Sequence, residues 1–303
     1  MIDVAVAITP FLDLTFTGLE ALPGPGQERY ARELHQSAGG GAIGAVGAAR
    51  LGLRSALAAP LGSGGAGAHL RDALEREGVT LVAPHDGATA ITVVLPSDGD
   101  RAMVTYDPGA RVREADLAAL DPRALVCGLP DLAIAPEGAA VYLSLGDEEA
   151  RALAGRAPRA IAGAHALVVN EAEARLLTGA GDAAVAAAAL ARAGTNVVVT
   201  RGRLGAVGVI DGTEVRAAGV DTGPALDTTG AGDLFTAAYV WAELCGAEPE
   251  ERLRWAVLYA ALSVTVPTAI AGATSRERLV EEGTRLGLPA PEPAASGSSS
   301  KEG

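Results

Sequence analysis

The chain has 303 residues, enough to bury a large core, and 49% of them are apolar. A formal net charge of −13 excludes the broad basic face of a nucleic-acid binder, although backbone amides at a helix start can still hold a phosphate. Cys127 and Cys245 lie far apart and outside any CxxC, which argues against a disulfide framework or a zinc site and fits a reducing, cytoplasmic setting.

Residues 2–9 predict a first core strand. They are apolar but lack the basic start of a signal peptide, and no stretch of the chain approaches a membrane span. The Pro/Gly-rich stretch 22–26 reads as a loop or a turn between short strands. Gly39-Gly40-Gly41 then open a small-residue helix reaching Leu51-Gly52, and a helix over 68–77 stops at Gly78. Runs 89–95 and 101–106 flank Pro96-Ser97-Asp98-Gly99-Asp100, a hairpin signal.

The runs 139–145, 164–169 and 195–200 are apolar without alternation, and helical patterns over 147–157, 171–177 and 182–193 separate them. Short buried strands alternating with helices predict a mostly parallel sheet covered on both faces. A second hairpin spans 205–221 with Asp211-Gly212 at its tip, and two long helices follow, over about 231–245 and 250–266. From Gly287 the chain is rich in Pro, Ala, Ser and Gly, which predicts a disordered tail over 287–303. The expected organisation is one α/β domain over 1–286. Segments 14–36 and 88–108 leave it as a small β-sheet lid over the carboxyl ends of the strands, where open parallel sheets bind ligands.

The segment with the most chemistry is Asp227-Thr228-Thr229-Gly230-Ala231-Gly232-Asp233. Leu234, Phe235, Ala238, Tyr239 and Ala242 recur at helical spacing, so a helix begins near residue 231. Gly-Ala-Gly therefore sits at a helix N-terminus, where free N–H groups favour an anion and small residues admit it closely. Asp233, in the first turn, is placed to accept a proton from an attacking hydroxyl. Read alone, the same string is a glycine turn followed by a helix-start carboxylate.

This string resembles the C-terminal signature of the ribokinase-like (PfkB) carbohydrate kinases, without a mismatch, and the likeness extends over residues 1 to about 282. The resemblance implies a three-layer α/β/α sandwich, ATP with Mg2+, and phosphorylation of a sugar or nucleoside hydroxyl. It makes Asp233 the catalytic base and the amides of Gly230, Ala231 and Gly232 the anion hole. Asp227 and Thr229 match a monovalent-cation (K+) site, but Val266-Pro267-Thr268-Ala269 stands where many members carry Arg-x-Gly-Ala.

Asn170-Glu171-Ala172-Glu173 reads locally as a capping box, and by resemblance as the Asn-x-x-Glu motif that positions magnesium through water. Thr200, Gly202 and Gly205 form a glycine turn that the resemblance sets against the nucleotide. Asp13 and the backbone of Gly39, Gly40 and Gly41 take the acceptor side. There the pattern is broken: Ile43 or Gly44 replaces an expected Asn, and Gly62–Gly67 replaces a Gly-Asp-Asp-x-x-Gly. A sugar kinase leads; a nucleoside kinase or a non-catalytic ligand-binding relative are the alternatives. A homodimer through the lids is implied by resemblance only. His35, His69, His85 and His165 show no metal spacing, and Trp241 and Trp255 read as packing residues.

Overall fold

The computed structural model describes residues 1–82, 87–97, 100–266 and 268–291. The strands are, in chain order, β1 (Ile2–Ala7), β2 (Pro10–Thr17), β3 (Glu33–Gly40), β4 (Ser55–Ala58), β5 (Thr80–Val82), β6 (Ala90–Ser97), β7 (Asp100–Tyr106), β8 (Pro122–Cys127), β9 (Ala140–Ser144), β10 (Ala166–Asn170), β11 (Asn196–Thr200), β12 (Gly205–Ile210) and β13 (Thr213–Ala218). Nine of them form one sheet in the order β13-β12-β11-β10-β9-β8-β1-β4-β5; the other four form a small sheet, β3-β2-β6-β7.

From β11 to β5 every pairing in the large sheet is parallel. The hairpin β12–β13 closes one edge through antiparallel pairing. Its tip, Asp211-Gly212, has positive φ at both residues (51° and 76°), the turn whose twist suits a two-residue hairpin. Strand parity sorts the core. Val4 and Val6 face one buried cluster while Ala5 and Ala7 face another; Val198 parts in the same way from Val197 and Val199. The helices Gly41–Arg50, Ala231–Leu244 and Pro249–Ser263 cover the first face, and Glu171–Thr178 and Ala183–Ala191 the second. The result is the expected three-layer arrangement, a large mostly parallel sheet covered on both faces, with a separate small sheet.

Strand β1 has β4 on one side and β8 on the other, so the chain reverses its direction of winding there. The carboxyl end of β1 is the crevice where such sheets bind ligands. From it the chain passes straight into the small sheet. The continuous strand expected over 2–9 is thus broken at Ala7, and the small sheet reaches from Pro10 to Gly40 rather than 14–36. Its second half, Ala90–Tyr106, falls inside the expected 88–108, although Asp98 and Gly99 of the predicted turn lie outside the described residues.

The tail needs a correction at its start. The helix Arg276–Arg285 ends with Gly287 at φ 71°, Gly287 N–H donating to Thr284 O (3.0 Å) and Leu288 N–H to Gly283 O (2.9 Å). This is a Schellman closure, and its apolar partner Leu288 is buried in the core. Residues 287 and 288 therefore belong to the fold; 292–303 lie outside the described residues. Trp241 and Trp255 are buried edge to face, 5.7 Å apart, as packing residues. A methyl group on Gly283 would meet the Trp255 ring at 2.1 Å. Gly283→Ala is expected to cost about 1–3 kcal/mol, read as a lower midpoint in thermal or urea unfolding. His165 is satisfied by Glu243 at 2.7 Å. His85 is not among the described residues.

Candidate active site

Asp233 sits in the first turn of the helix Ala231–Leu244. That helix starts from Gly230 in a left-handed conformation (φ 72°), which a side chain would strain. The first turn leaves amides without intrahelical acceptors, although Ala231 N–H is taken up by Thr228 O (3.4 Å). Asp233 lines a cavity of about 340 Å³ whose floor is the carboxyl ends of β1, β4, β8 and β9, at Ala7, Ala58, Gly128 and Ser144. On the other side of the same helix start, Ala231 and Gly232 line a larger cavity of about 810 Å³. The helix start thus borders both chambers: Asp233 lines the smaller, and Ala231 and Gly232 just before it line the larger.

Burial raises the Asp233 carboxyl to about 7; the carboxylates of Asp13 and Glu173 add to that, while its own backbone amide opposes it. Asp13 and Glu173 therefore both lie close enough to Asp233 to act on it by charge. Asp13 is buried on β2, and its carboxylate lies over Gly39 on the paired strand β3, where a methyl group would meet Oδ2 at 2.1 Å. Gly39 is thus required for the presence of Asp13. Gly41 lines a narrow gap beside Asp233 together with Gly44, so Gly44, not Ile43, takes the wall position; Ile43 is buried in the core.

The larger cavity collects Thr200, Gly202 and Gly205 with Gly232. Sequence reading missed the rest of its wall: the loop Gly219–Ala225, and Phe235, Val257 and Ala260 from the two long helices. Phe235 and Val257 fall in ordinary helical core patterns, so nothing in the sequence set them apart. Asn170 lies in an adjoining groove with Thr200 and Gly202. The capping box is present: Asn170 Oδ1 accepts from Glu173 N–H (2.9 Å) and Glu173 Oε2 from Asn170 N–H (2.8 Å). Burial raises the Glu173 carboxyl, and Asp147 and Glu149 add to the effect, against the hydrogen bonds to Asn170.

Asp227 Oδ1 accepts from Thr229 N–H (2.8 Å) and Oδ2 from Thr268 N–H (3.1 Å), so this carboxylate ties the loop ahead of the helix to the segment after Pro249–Ser263. Arg50 reinforces that segment through Ile270 O (2.8 Å) and Ala273 O. Thr268 has φ 68°, where a β-branched residue is strained. Thr268→Gly is expected to stabilise by about 1 kcal/mol, seen as a higher unfolding midpoint with unchanged m. The glycine-rich 62–67 segment lines neither chamber. It is a packing joint: Gly62 N–H donates to Thr89 Oγ1 (3.0 Å), and a methyl group on Gly67 would collide with Gly62 O.

The family model described as pfkB family carbohydrate kinase matches residues 11–127 and 134–276. A ribokinase from Thermotoga maritima is similar with a TM-score of 0.80 at 22% identity, over 94% of this chain and 100% of that one. Ribokinase of Arabidopsis thaliana, solved with ribose and ATP, gives 0.79 at 24% identity, over 92% and 98%. An adenosine kinase from Sinorhizobium meliloti gives 0.76 at 20% identity, over 90% and 98%. These structures share the fold, and the family match spans both the strand that bears Asp13 and the helix start that bears Asp233; the chain belongs to the pfkB family of carbohydrate kinases.

Proposed function

We propose that this chain is an ATP-dependent phosphotransferase that phosphorylates a hydroxyl of a small sugar-like acceptor. The observation that carries the reading is the helix start Ala231–Asp233, whose residues border both chambers, with Asp233 in the wall of the smaller. The larger chamber would take the nucleotide, held by the backbone around Thr200, Gly202 and Gly205. The smaller would take the acceptor, with Asp13 and the Gly39–Gly41 backbone on the lid side. Asp233 takes the hydroxyl proton as that oxygen bonds to the γ-phosphorus and the bridging oxygen leaves with ADP. The first-turn amides of Gly230, Ala231 and Gly232 hold the charge on the moving phosphoryl group.

Among the described residues no cluster of three or more acidic, His or Cys side chains could hold a metal alone. Magnesium keeps waters and phosphate oxygens as ligands, so one or two protein groups suffice. Asn170 and Glu173 would hold it through water, where it would offset the crowding of Glu173 by Asp147 and Glu149 and neutralise phosphate charge. Potassium at Asp227 and Thr229 and a lid-to-lid homodimer belong to the same proposal; Leu34, Val104 and Tyr106 stand exposed on the small sheet.

The test is ADP release from Mg-ATP with a panel of free sugars and nucleosides, with and without potassium. Stimulation by at least one sugar is expected. A nucleoside as the sole good acceptor would favour the second reading, for which the apolar wall of Phe11, Ile8 and Leu145 speaks. No stimulation across the panel would leave a ligand-binding relative.

A further inference from the structure

One acidic side chain in the smaller chamber is unused by the chemistry proposed above. Asp131 lies in the 3-10 turn Leu129–Ile134 that follows β8, and it lines the chamber opposite the helix start. Only 7% of its surface is exposed, and its carboxylate makes no hydrogen bond among the described residues. Its oxygens are not sealed in the interior, so what surface they keep opens onto the chamber, where the donors of a bound molecule can reach them. Its neighbours in charge are Arg111 and Glu149, whereas those of Asp233 are Asp13 and Glu173. The two aspartates therefore look into one chamber from separate walls.

The chemistry of that wall narrows what it binds. Glu149 is committed by one oxygen to Gly146 N–H (3.2 Å), and Arg111, the one cation among the described lining residues, is exposed at the edge. Gly128, beside Asp131, leaves the floor open; a methyl group there would already stand 3.5 Å from Glu149 Oε1. With carboxylates on both walls, the inner chamber repels an anionic acceptor. It offers two acceptor-only groups to a molecule that carries O–H donors at both ends.

We infer that Asp131 is a specificity-determining residue: it receives the hydroxyl of a neutral polyhydroxy acceptor at the end remote from the hydroxyl facing Asp233. The inference rests on the acceptor reading of this chamber given above. Because the carboxylate awaits a ligand and supports no protein group, removing it leaves the fold intact, and the discrimination lost is that between hydroxylated and deoxy acceptors.

The experiment compares the wild type with Asp131→Ala and Asp131→Asn, using free aldoses, ketoses and nucleosides and their monodeoxy analogues. Two readouts are taken: steady-state turnover with Mg-ATP, and acceptor-induced change in Tm without nucleotide. For Asp131→Ala, KM for the best acceptor rises at least about 10-fold with kcat held within a few-fold, and the preference over one deoxy analogue collapses. Asp131→Asn, whose amide oxygen still accepts, falls between. Ligand-free Tm of both variants equals or exceeds that of the wild type. Turnover with unchanged KM and unchanged deoxy discrimination overturns the inference and leaves the kinase reading standing; so does a ligand-free Tm that falls in both variants, which would make Asp131 structural. If no acceptor is turned over, the kinase reading fails by itself. The inference then stands if a sugar raises the Tm of the wild type but not of Asp131→Ala, and falls if both respond alike or neither responds.

Discussion

Asp233→Asn is expected to lower kcat roughly 10²–10⁴-fold, the usual worth of a positioned general base, with nucleotide binding preserved. The amide keeps the shape of the carboxylate and the helix start but cannot take a proton. The pH profile gives the sharper test. With the Asp233 carboxyl raised to about 7, kcat/KM of the wild type falls as pH drops below that value, and this limb vanishes in the variant. Stability moves the other way. An acid whose folded pKa lies above its ordinary 3.8 gives stability that is full below 3.8 and lost as pH rises through about 7. Asp233→Asn is spared that loss. At pH 8 it should be more stable than the wild type, by about 2–4 kcal/mol once the partly open surface of the carboxyl is discounted, and the gap should close near pH 4. A variant less stable than the wild type at pH 8 would show that the carboxylate is held by partners rather than strained.

Gly39→Ala should disable the acceptor side while leaving the nucleotide side alone. The added methyl group falls 2.1 Å from Asp13 Oδ2 and 2.5 Å from its Cγ, so the carboxylate must turn away. Hydrogen bonds to a charged group are worth about 1.5–3 kcal/mol, which is roughly 10–100-fold in kcat/KM for the acceptor. KM for ATP should stay within a few-fold. Equal losses with Asp13→Ala and with the double variant would establish that both act through one contact. An acceptor KM unmoved by Gly39→Ala would remove Asp13 from the acceptor site.

The large sheet was legible where its strands are valine-rich and bounded by helical patterns, as at 164–169 and 195–200. It was not legible at β4, Ser55–Ala58, or β5, Thr80–Val82, which have four and three residues and no period to read. They are strands because their neighbours pair with them, a tertiary effect. The same division runs through the site. Asp233 and its glycines announce themselves, because an anion site at a helix start needs contiguous small residues. Asp131 and the wall of the larger cavity are assembled from distant segments, so nothing local marked them. The glycines at 62–67 stand where the resemblance expects Gly-Asp-Asp-x-x-Gly, and only the structure shows them packed against Thr89 and one another.

The small sheet is two antiparallel pairs, β2–β3 and β6–β7, joined by a single parallel seam between residues 11–15 and 90–94. That seam closes a long segment containing β3, β4, β5 and two helices, so its entropy of closure is offset only after the central strands have formed. The small sheet is then expected to assemble last and to open first under native conditions, which hydrogen exchange of its amides would show. Because side chains alternate along a strand, slipping the β2–β3 pair by one residue would part Asp13 from Gly39 and turn one of them outward. Such a chain would keep its large sheet and its glycine-rich helix start and yet, on the function proposed above, lose its hold on the acceptor, so the fidelity of one strand pairing would decide whether a folded molecule is also a competent one.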